Sequence, residues 1–374
     1  MEASWLLILV AVTLVAALRG VPQTGRHIIL LTFGLLVGQL ISTLRWQSGI
    51  GAKGMADAIY YLILPWLLVQ AASSISRRRL RLLWPWVVGP ASLIFLLTLS
   101  LVGVGLFMLV DHPGFPLLSG VVAGTLLAAA DPSWSSQLAH RQRSLLVMLE
   151  GEGVWVELFA FAGLMVLNQA GSLSSLSGAE VGATWVRLLT LSLLLSWLLS
   201  WLLKPLLRRN GALTLPLAYL VFWGTERGLG LPGAAVCLLT LLLSLPQLRR
   251  IPTAPVEEGA SLGADLLVVA LGFSLTLSMF TERYWVMLAA IGLCLLARGP
   301  VLWGIVHWLK PPLPAGAGAL WWRLPVHGPV TLALVLSLPV SVTAWWTIQS
   351  ACYGVILFEL LIQRPLASAS VSDR

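Results

Sequence analysis

Between Gly124 and Asn168 the chain sets Asp131, Glu150, Glu152 and Glu157 into otherwise apolar sequence. Two apolar segments meet there through the basic link His140-Arg141-Gln142-Arg143. Four carboxylates within about 30 residues of membrane-grade sequence are costly to bury, so the default chemistry is an ion or proton pathway. Asp131 is followed by Pro132, and proline removes a backbone donor and breaks or kinks a helix. A broken helix with a carboxylate at the break is how many secondary transporters build a cation site. In low dielectric a carboxylate is cheaper to carry neutralised, by a proton or by a monovalent cation. If both compete for one oxygen pair, and only the neutralised site changes sides, protons are exchanged for cations without covalent chemistry. Glu157 is the expected shared ligand, with Asp131 beside it. The plainer role for Asp131 is to cap the second half of the broken helix. Glu150 faces either the cytoplasmic mouth of this pathway or the core.

The rest of the chain says where these charges lie. Of its 374 residues, 58% are hydrophobic and 10% charged, and the mean hydropathy is +0.90. Such a chain is an all-α polytopic membrane protein. The net charge of +8 comes from short clusters between apolar runs, among them Arg77-Arg78-Arg79 with Arg81, Arg208-Arg209 and Arg249-Arg250. That is the pattern of cytoplasmic membrane loops, and no nucleic-acid partner is expected. Cys237, Cys294 and Cys352 lie in apolar runs and read as packing residues. No nucleophile–base pair or metal-ligand cluster points to an enzyme, and no cofactor is expected. Gly34/Gly38 and Gly120/Gly124 have the spacing of close helix packing. The formal GxGxxG match from Gly228 to Gly233 follows a membrane span and contains Pro232, which argues against a dinucleotide site.

Thirteen spans are expected, at 5–18, 28–44, 58–73, 84–109, 116–137, 145–167, 184–203, 213–228, 231–246, 262–280, 284–306, 325–345 and 348–364. In the first span the apolar run precedes the basic residues, as expected of a retained helix and not a cleaved signal. Loops after the first, third, fifth and seventh spans carry Arg19/Arg26, Arg77–Arg81, Arg141/Arg143 and Lys204/Arg208/Arg209, and those after the fourth and sixth carry no Lys or Arg. The N-terminus is then outside and the C-terminus cytoplasmic, with Arg249/Arg250, Lys310/Arg323 and Arg364 also inside. The loop with Arg45 and Lys53 is the one poor fit. The short stretch after the last span leaves no expected regulatory domain. Asp131-Pro132 in the fifth span and Pro339 in the twelfth lie at nearly the same depth. Two Pro-interrupted segments in corresponding places point to inverted repeats with crossed, broken helices.

At this point the residues resemble the monovalent cation:proton antiporters of the sodium/proton exchanger type. Ala130-Asp131-Pro132 is similar to that family's Thr-Asp-Pro signature, and Glu150-Gly151-Glu152-Gly153-Val154-Trp155-Val156-Glu157 to its Glu-Gly-Glu-Ser-Leu-Leu-Asn-Asp. Leu64–Ala71 with the following Arg cluster resembles its third span, Leu231–Val236 its Val-Ser-Gly-Val-Leu-Ala stretch, Ala297-Arg298 its eleventh span and His327–Leu334 its twelfth. The departures are Ala130 for Thr, Val156-Glu157 for Asn-Asp, His327 for Arg, Gln70 for Glu, and Glu359 where the family usually has Thr. The resemblance implies a core domain around 84–167 and 284–364, a panel of remaining spans that scaffolds it and forms a homodimer, and a bacterial inner-membrane location. It implies a monovalent cation and protons as the transported partners, within the lipid bilayer. Glu152 and Arg298 are expected to pair and stitch core helices. His327 is either a pH-sensing imidazole or a hydrogen-bonding residue at a helix start. Glu359 is a further candidate with no nameable partner. Beside the antiporter stands a second reading, a transport-inactive homologue acting as a scaffold or partner subunit. Loss of the family's Thr, Asn and Arg favours it; retention of Asp131, Glu157 and Arg298 opposes it.

Overall fold

The computed structural model describes residues 2–44, 51–75, 77–110, 114–135, 143–169, 178–244, 253–313 and 317–372. His140, Arg141, Arg45 and Arg249/Arg250, on which part of the loop-charge reading rests, lie outside the described residues. Among the described residues there is no strand, and thirteen helical passages follow one another. They are α1 (Glu2–Ala17), α2 (Gln23–Thr43), α3 (Ala52–Ala58, Ile59–Ile63 and Leu64–Ser74 in succession), α4 (Arg77–Leu109), α5 (Leu117–Ala128) and α6 (Arg143–Gln169). Then come α7 (Gly178–Arg209), α8 (Thr214–Trp223 and Gly224–Gly228), α9 (Gly233–Leu243), α10 (Thr253–Ser274, followed by the short Leu277–Glu282) and α11 (Tyr284–Gly304 and Ile305–Leu309). The passage α12 is in two pieces, Ala317–Arg323 and Pro329–Leu336, and α13 runs through Trp345–Phe358, Glu359–Gln363 and Arg364–Ser372. Each corresponds to one of the thirteen spans expected from the apolar runs. Among the described residues, seven helices are long and apolar enough to cross a membrane. The passage α6 is 27 residues long and carries three glutamates, Glu150, Glu152 and Glu157, in its otherwise apolar sequence.

Two seams are built from backbone against backbone. Along α2 and α10, Gly34 and Gly38 lie on Val269, Gly272 and Phe273, so that a methyl added at Gly34 would stand 2.9 Å from the Phe273 amide nitrogen. Along α4 and α5, a methyl at Gly124 would stand 2.6 Å from the Leu99 carbonyl oxygen and 3.1 Å from the Gly103 nitrogen. Small residues allow this approach, which compensates for the absence of a hydrophobic drive between helices in lipid. Gly124→Ala is therefore expected to destabilise the protein by about 1–3 kcal/mol through overpacking. A lowered midpoint of thermal unfolding in detergent would register it, and an unchanged midpoint would contradict the seam.

The break in α12 is not at Pro339. Its helical ladder stops at Arg323 and restarts at Pro329, across the extended Pro325–Gly328. Pro325 and Pro329 have no N–H to give the ladder, and Pro329 opens the second half at a position where none is needed. Pro339 instead lies in the irregular 337–344 beyond that half, a stretch that ends on Ala344 with φ 57°. The break that meets the Asp131-Pro132 interruption of α5 is thus Pro325–Gly328. The Asp131 amide donates to the Val326 carbonyl at 2.6 Å, and the Thr331 hydroxyl donates to the Ala129 carbonyl at 2.8 Å.

Candidate ion site at the crossed helix breaks

Asp131 is buried, 2% exposed, and both of its oxygens are occupied. Oδ1 accepts from the Ser133 amide at 3.0 Å and from the Ser133 hydroxyl. Oδ2 accepts from the Val330 amide at 2.7 Å. The side chain therefore caps its own short turn, Pro132–Trp134, and the start of Pro329–Leu336 on the other strand of the crossing. A carboxylate suits both, because the first N–H groups of a helix are orphaned and carry partial positive charge. Gly328 makes the approach possible, since a methyl there would stand 2.7 Å from Asp131 Oδ2.

Glu157 differs. It is also 2% exposed, yet its Oε2 is buried with no hydrogen-bond partner. Buried polar atoms are overwhelmingly partnered, and an orphan asks for an explanation. Glu157, Asp131, Ser133 and Glu150 line one cavity of about 80 Å³ together with Gln70 and Ser74. At roughly 10–15 Å³ per water, that volume takes a cation with several waters. Glu150 is half-buried, on the face of α6 that turns toward this cavity. Gly153 brings α6 against the break, because a methyl there would stand 2.5 Å from the Pro132 ring. Val156, at the family's Asn position, is buried and offers no oxygen.

A second, larger cavity of about 470 Å³ is lined by Asp57, Tyr60 and Glu226, with Val122, Leu126, Phe161 and Leu334 also in its wall. It draws on the beginnings of α3 and α5 and the end of α6. The first cavity draws on the end of α3, the break after α5 and the first half of α6. The two therefore lie toward opposite ends of α3 and α6, and the wall of the larger one includes apolar side chains such as Leu126 and Phe161.

Around the crossing, the remaining charges are paired. Arg298 grips Glu152 with both terminal nitrogens, Nη1 on Oε1 and Nη2 on Oε2 at 3.2 Å, and Trp321 Nε1 donates to Oε2 at 3.1 Å. Glu359 Oε2 accepts from the amides of Val326 (2.9 Å) and His327 (2.8 Å). Its Oε1 faces His327 Nδ1 at 2.7 Å, and His327 Nε2 faces the Leu127 carbonyl at 2.9 Å. Residue pattern alone did not single out Ser133, Thr331, Trp321 or Gly153. It also missed a buried cluster between α2, α10 and α13. There Asp265 meets Arg26 (3.2 Å) and His27 (3.3 Å), Arg364 Nη1 reaches His27 Nδ1 (3.2 Å), and Trp134 lies against the His27 ring at 5.1 Å. Arg26 and Arg364 look like loop charges in sequence; only Asp265, alone in an apolar run, carried a signal.

No family model matches the chain. In sequence it is 26% identical over 344 residues to the Na(+)/H(+) antiporter ApNhaP of Aphanothece halophytica, across 82% of this chain and 63% of that relative. The chain thus spans less than two thirds of the relative's length. In fold it matches the sodium proton antiporter MjNhaP1 of Methanocaldococcus jannaschii at pH 8 with a TM-score of 0.80 and 18% identity, covering 99% of this chain and 98% of that one. A second structure of MjNhaP1, from electron microscopy, gives a TM-score of 0.70 and 18% identity over 91% and 89% of the two chains. These relatives are named as transporters and not as enzymes. The resemblance to the monovalent cation:proton antiporters holds in sequence and in fold, and the chain is an integral membrane protein.

Proposed function

We propose that this chain is a secondary active antiporter exchanging protons for a monovalent cation, sodium or potassium, with Glu157 as the shared ligand. The observation that carries this is the contrast between two buried carboxylates lining one cavity. Every oxygen of Asp131 is committed to the crossing, whereas Oε2 of Glu157 has no partner. A bare charge there is costly, and a proton or a cation relieves the cost. Asp131 adds negative charge beside the ligand and keeps the two helix breaks together. Neutralised Glu157 can cross the apolar boundary toward the larger cavity; ionised and empty, it cannot. The loop charges put the Glu157 cavity on the cytoplasmic side and the N-terminus outside. In this proposal α4–α6 and α11–α13 form the transporting core, the other passages form the panel of a homodimer, and the membrane is a bacterial inner membrane.

The test is collapse of an imposed pH gradient in proteoliposomes on adding sodium, potassium or lithium. Cation-dependent proton movement establishes exchange and names the ion. Silence for all three, from folded protein over a wide pH range, would leave the transport-inactive homologue as the better account. Glu150, half-buried at the cavity, concentrates cations without being the ligand. Removing such a partly screened charge costs ~0.2–1 kcal/mol, at most about fivefold in affinity. Glu150→Gln is therefore expected to raise the cation concentration for half-maximal exchange up to about fivefold and leave the maximal rate intact. A lost maximal rate would place Glu150 in the ligand set instead.

A further inference from the structure

His327 and Glu359 meet behind the crossing, away from the Glu157 cavity. The ring of His327 has an oxygen at each nitrogen, Glu359 Oε1 at 2.7 Å from Nδ1 and the Leu127 carbonyl at 2.9 Å from Nε2. A carbonyl oxygen can only accept, so Nε2 carries a hydrogen. That carbonyl belongs to the last turn of α5, whose ladder ends at the break, because the Asp131 amide turns away to Val326. A hydrogen on Nε2 leaves two arrangements at Nδ1. Either Nδ1 donates to a carboxylate, or a protonated Glu359 donates to Nδ1. Both contain the same number of protons. Without that proton, the Nδ1 lone pair would face a carboxylate oxygen at 2.7 Å.

We propose that His327 and Glu359 form a second proton-binding site, distinct from Glu157, whose proton locks the crossed breaks and is not exchanged against the cation. The locking is direct. Glu359 holds the amides of Val326 and His327, the ring holds the end of α5, and Val326 takes the Asp131 amide. One proton thus ties α5, the break of α12 and α13 into one joint. Beside the pair lies a cavity of about 40 Å³ lined by His327, Glu359, Arg298, Cys294, Thr98 and Gln363. On release, the proton passes from the pair into that cavity, and the ring keeps its hydrogen on Leu127. Among the described residues, the charged and titratable groups facing the pair are Asp131 across the crossing and Arg298 and Cys294 from α11, and α4 lines the cavity with Thr98. His327 is accordingly a positioning residue for exchange at Glu157, a role that rests on the function proposed above.

The test has two arms on the full chain. In the first, 15N-histidine spectra of the purified protein in nanodiscs are compared with those of His327→Arg, which assigns the resonance. The expected result is a His327 ring bound as a proton-sharing pair at neutral pH, with Glu359→Gln converting it to the neutral ring with hydrogen on Nε2. A wild-type ring that is already an unpaired neutral tautomer at neutral pH overturns the proposal. In the second arm, exchange is followed against pH in proteoliposomes. Wild type is expected to lose exchange on the alkaline limb as the pair releases its proton. His327→Arg, which pairs with Glu359 without needing one, is expected to lack that loss while keeping the cation preference. Superimposable alkaline limbs overturn the proposal. If His327→Arg does not fold, Glu359→Gln serves in both arms, with His327→Gln assigning the resonance. Absence of exchange in wild type would sink antiport alone, because the spectra still decide the pair.

Discussion

Glu157→Gln, reconstituted as folded protein, is expected to show no cation-dependent proton movement at any pH. Glutamine keeps the volume and the burial but binds neither a proton nor a cation in the ionic sense, so the alternation between two neutral loads disappears. The stability of the variant should equal or exceed that of the wild type, since an orphaned buried carboxylate oxygen is replaced by a neutral amide. Asp131→Asn should behave in the opposite way. Its amide nitrogen would face either Ser133 or the Val330 N–H, donor against donor, in place of the acceptors now present. That mismatch costs about 1–3 kcal/mol and loosens the crossing as well as slowing exchange. Measured together, dye-detected exchange and thermal unfolding separate the two carboxylates. Full exchange in Glu157→Gln would remove it as the ligand, and a stability loss there as large as in Asp131→Asn would deny the division of labour.

The second large effect concerns Arg298. Glu152 is 3% exposed and takes donors from Arg298 and Trp321, so Arg298→Met would strand a buried carboxylate. Breaking one side of such a pair costs about 3–5 kcal/mol. The double variant Glu152→Gln/Arg298→Met is expected to recover most of it, because buried ion pairs are often nearly neutral against uncharged residues of similar volume. Thermal unfolding of the four proteins gives the coupling. Additive losses would mean that the pair does not join α6 to α11.

Run length and apolar composition made the thirteen passages legible, and the carboxylate-rich Gly124–Asn168 stretch made the neighbourhood of the site legible. The location of the second break was not. Pro339 mimics Asp131-Pro132 in depth, but a helix is interrupted where several residues together deny it the ladder, and Pro325, Gly328 and Pro329 do so. The partner of Glu359 was hidden for a related reason. It is held by backbone amides exposed only because α12 is broken, and no periodic pattern reports an irregular backbone. Asp131 allowed both a capping and a ligating role in sequence. What assigns the capping is the count of donors around each oxygen, which spacing cannot supply. The Arg26–His27–Asp265–Arg364 cluster joins three passages far apart in the chain, and two of its members look like ordinary flanking charges.

The glycine seams carry a mechanical consequence. Where main chain rests on main chain, no layer of side chains is left to act as a bearing, so neither α2 on α10 nor α4 on α5 can glide without steric collision. Each pair moves as one plank. Slippage between such planks belongs where side chains alone make the contact, as at the Ser274–Tyr353 hydroxyl pair, 2.9 Å apart, between α10 and α13. Shear of packed helices is small and directional. In the proposed exchange, the track along which Glu157 would travel is therefore laid by glycines that do not line its cavity.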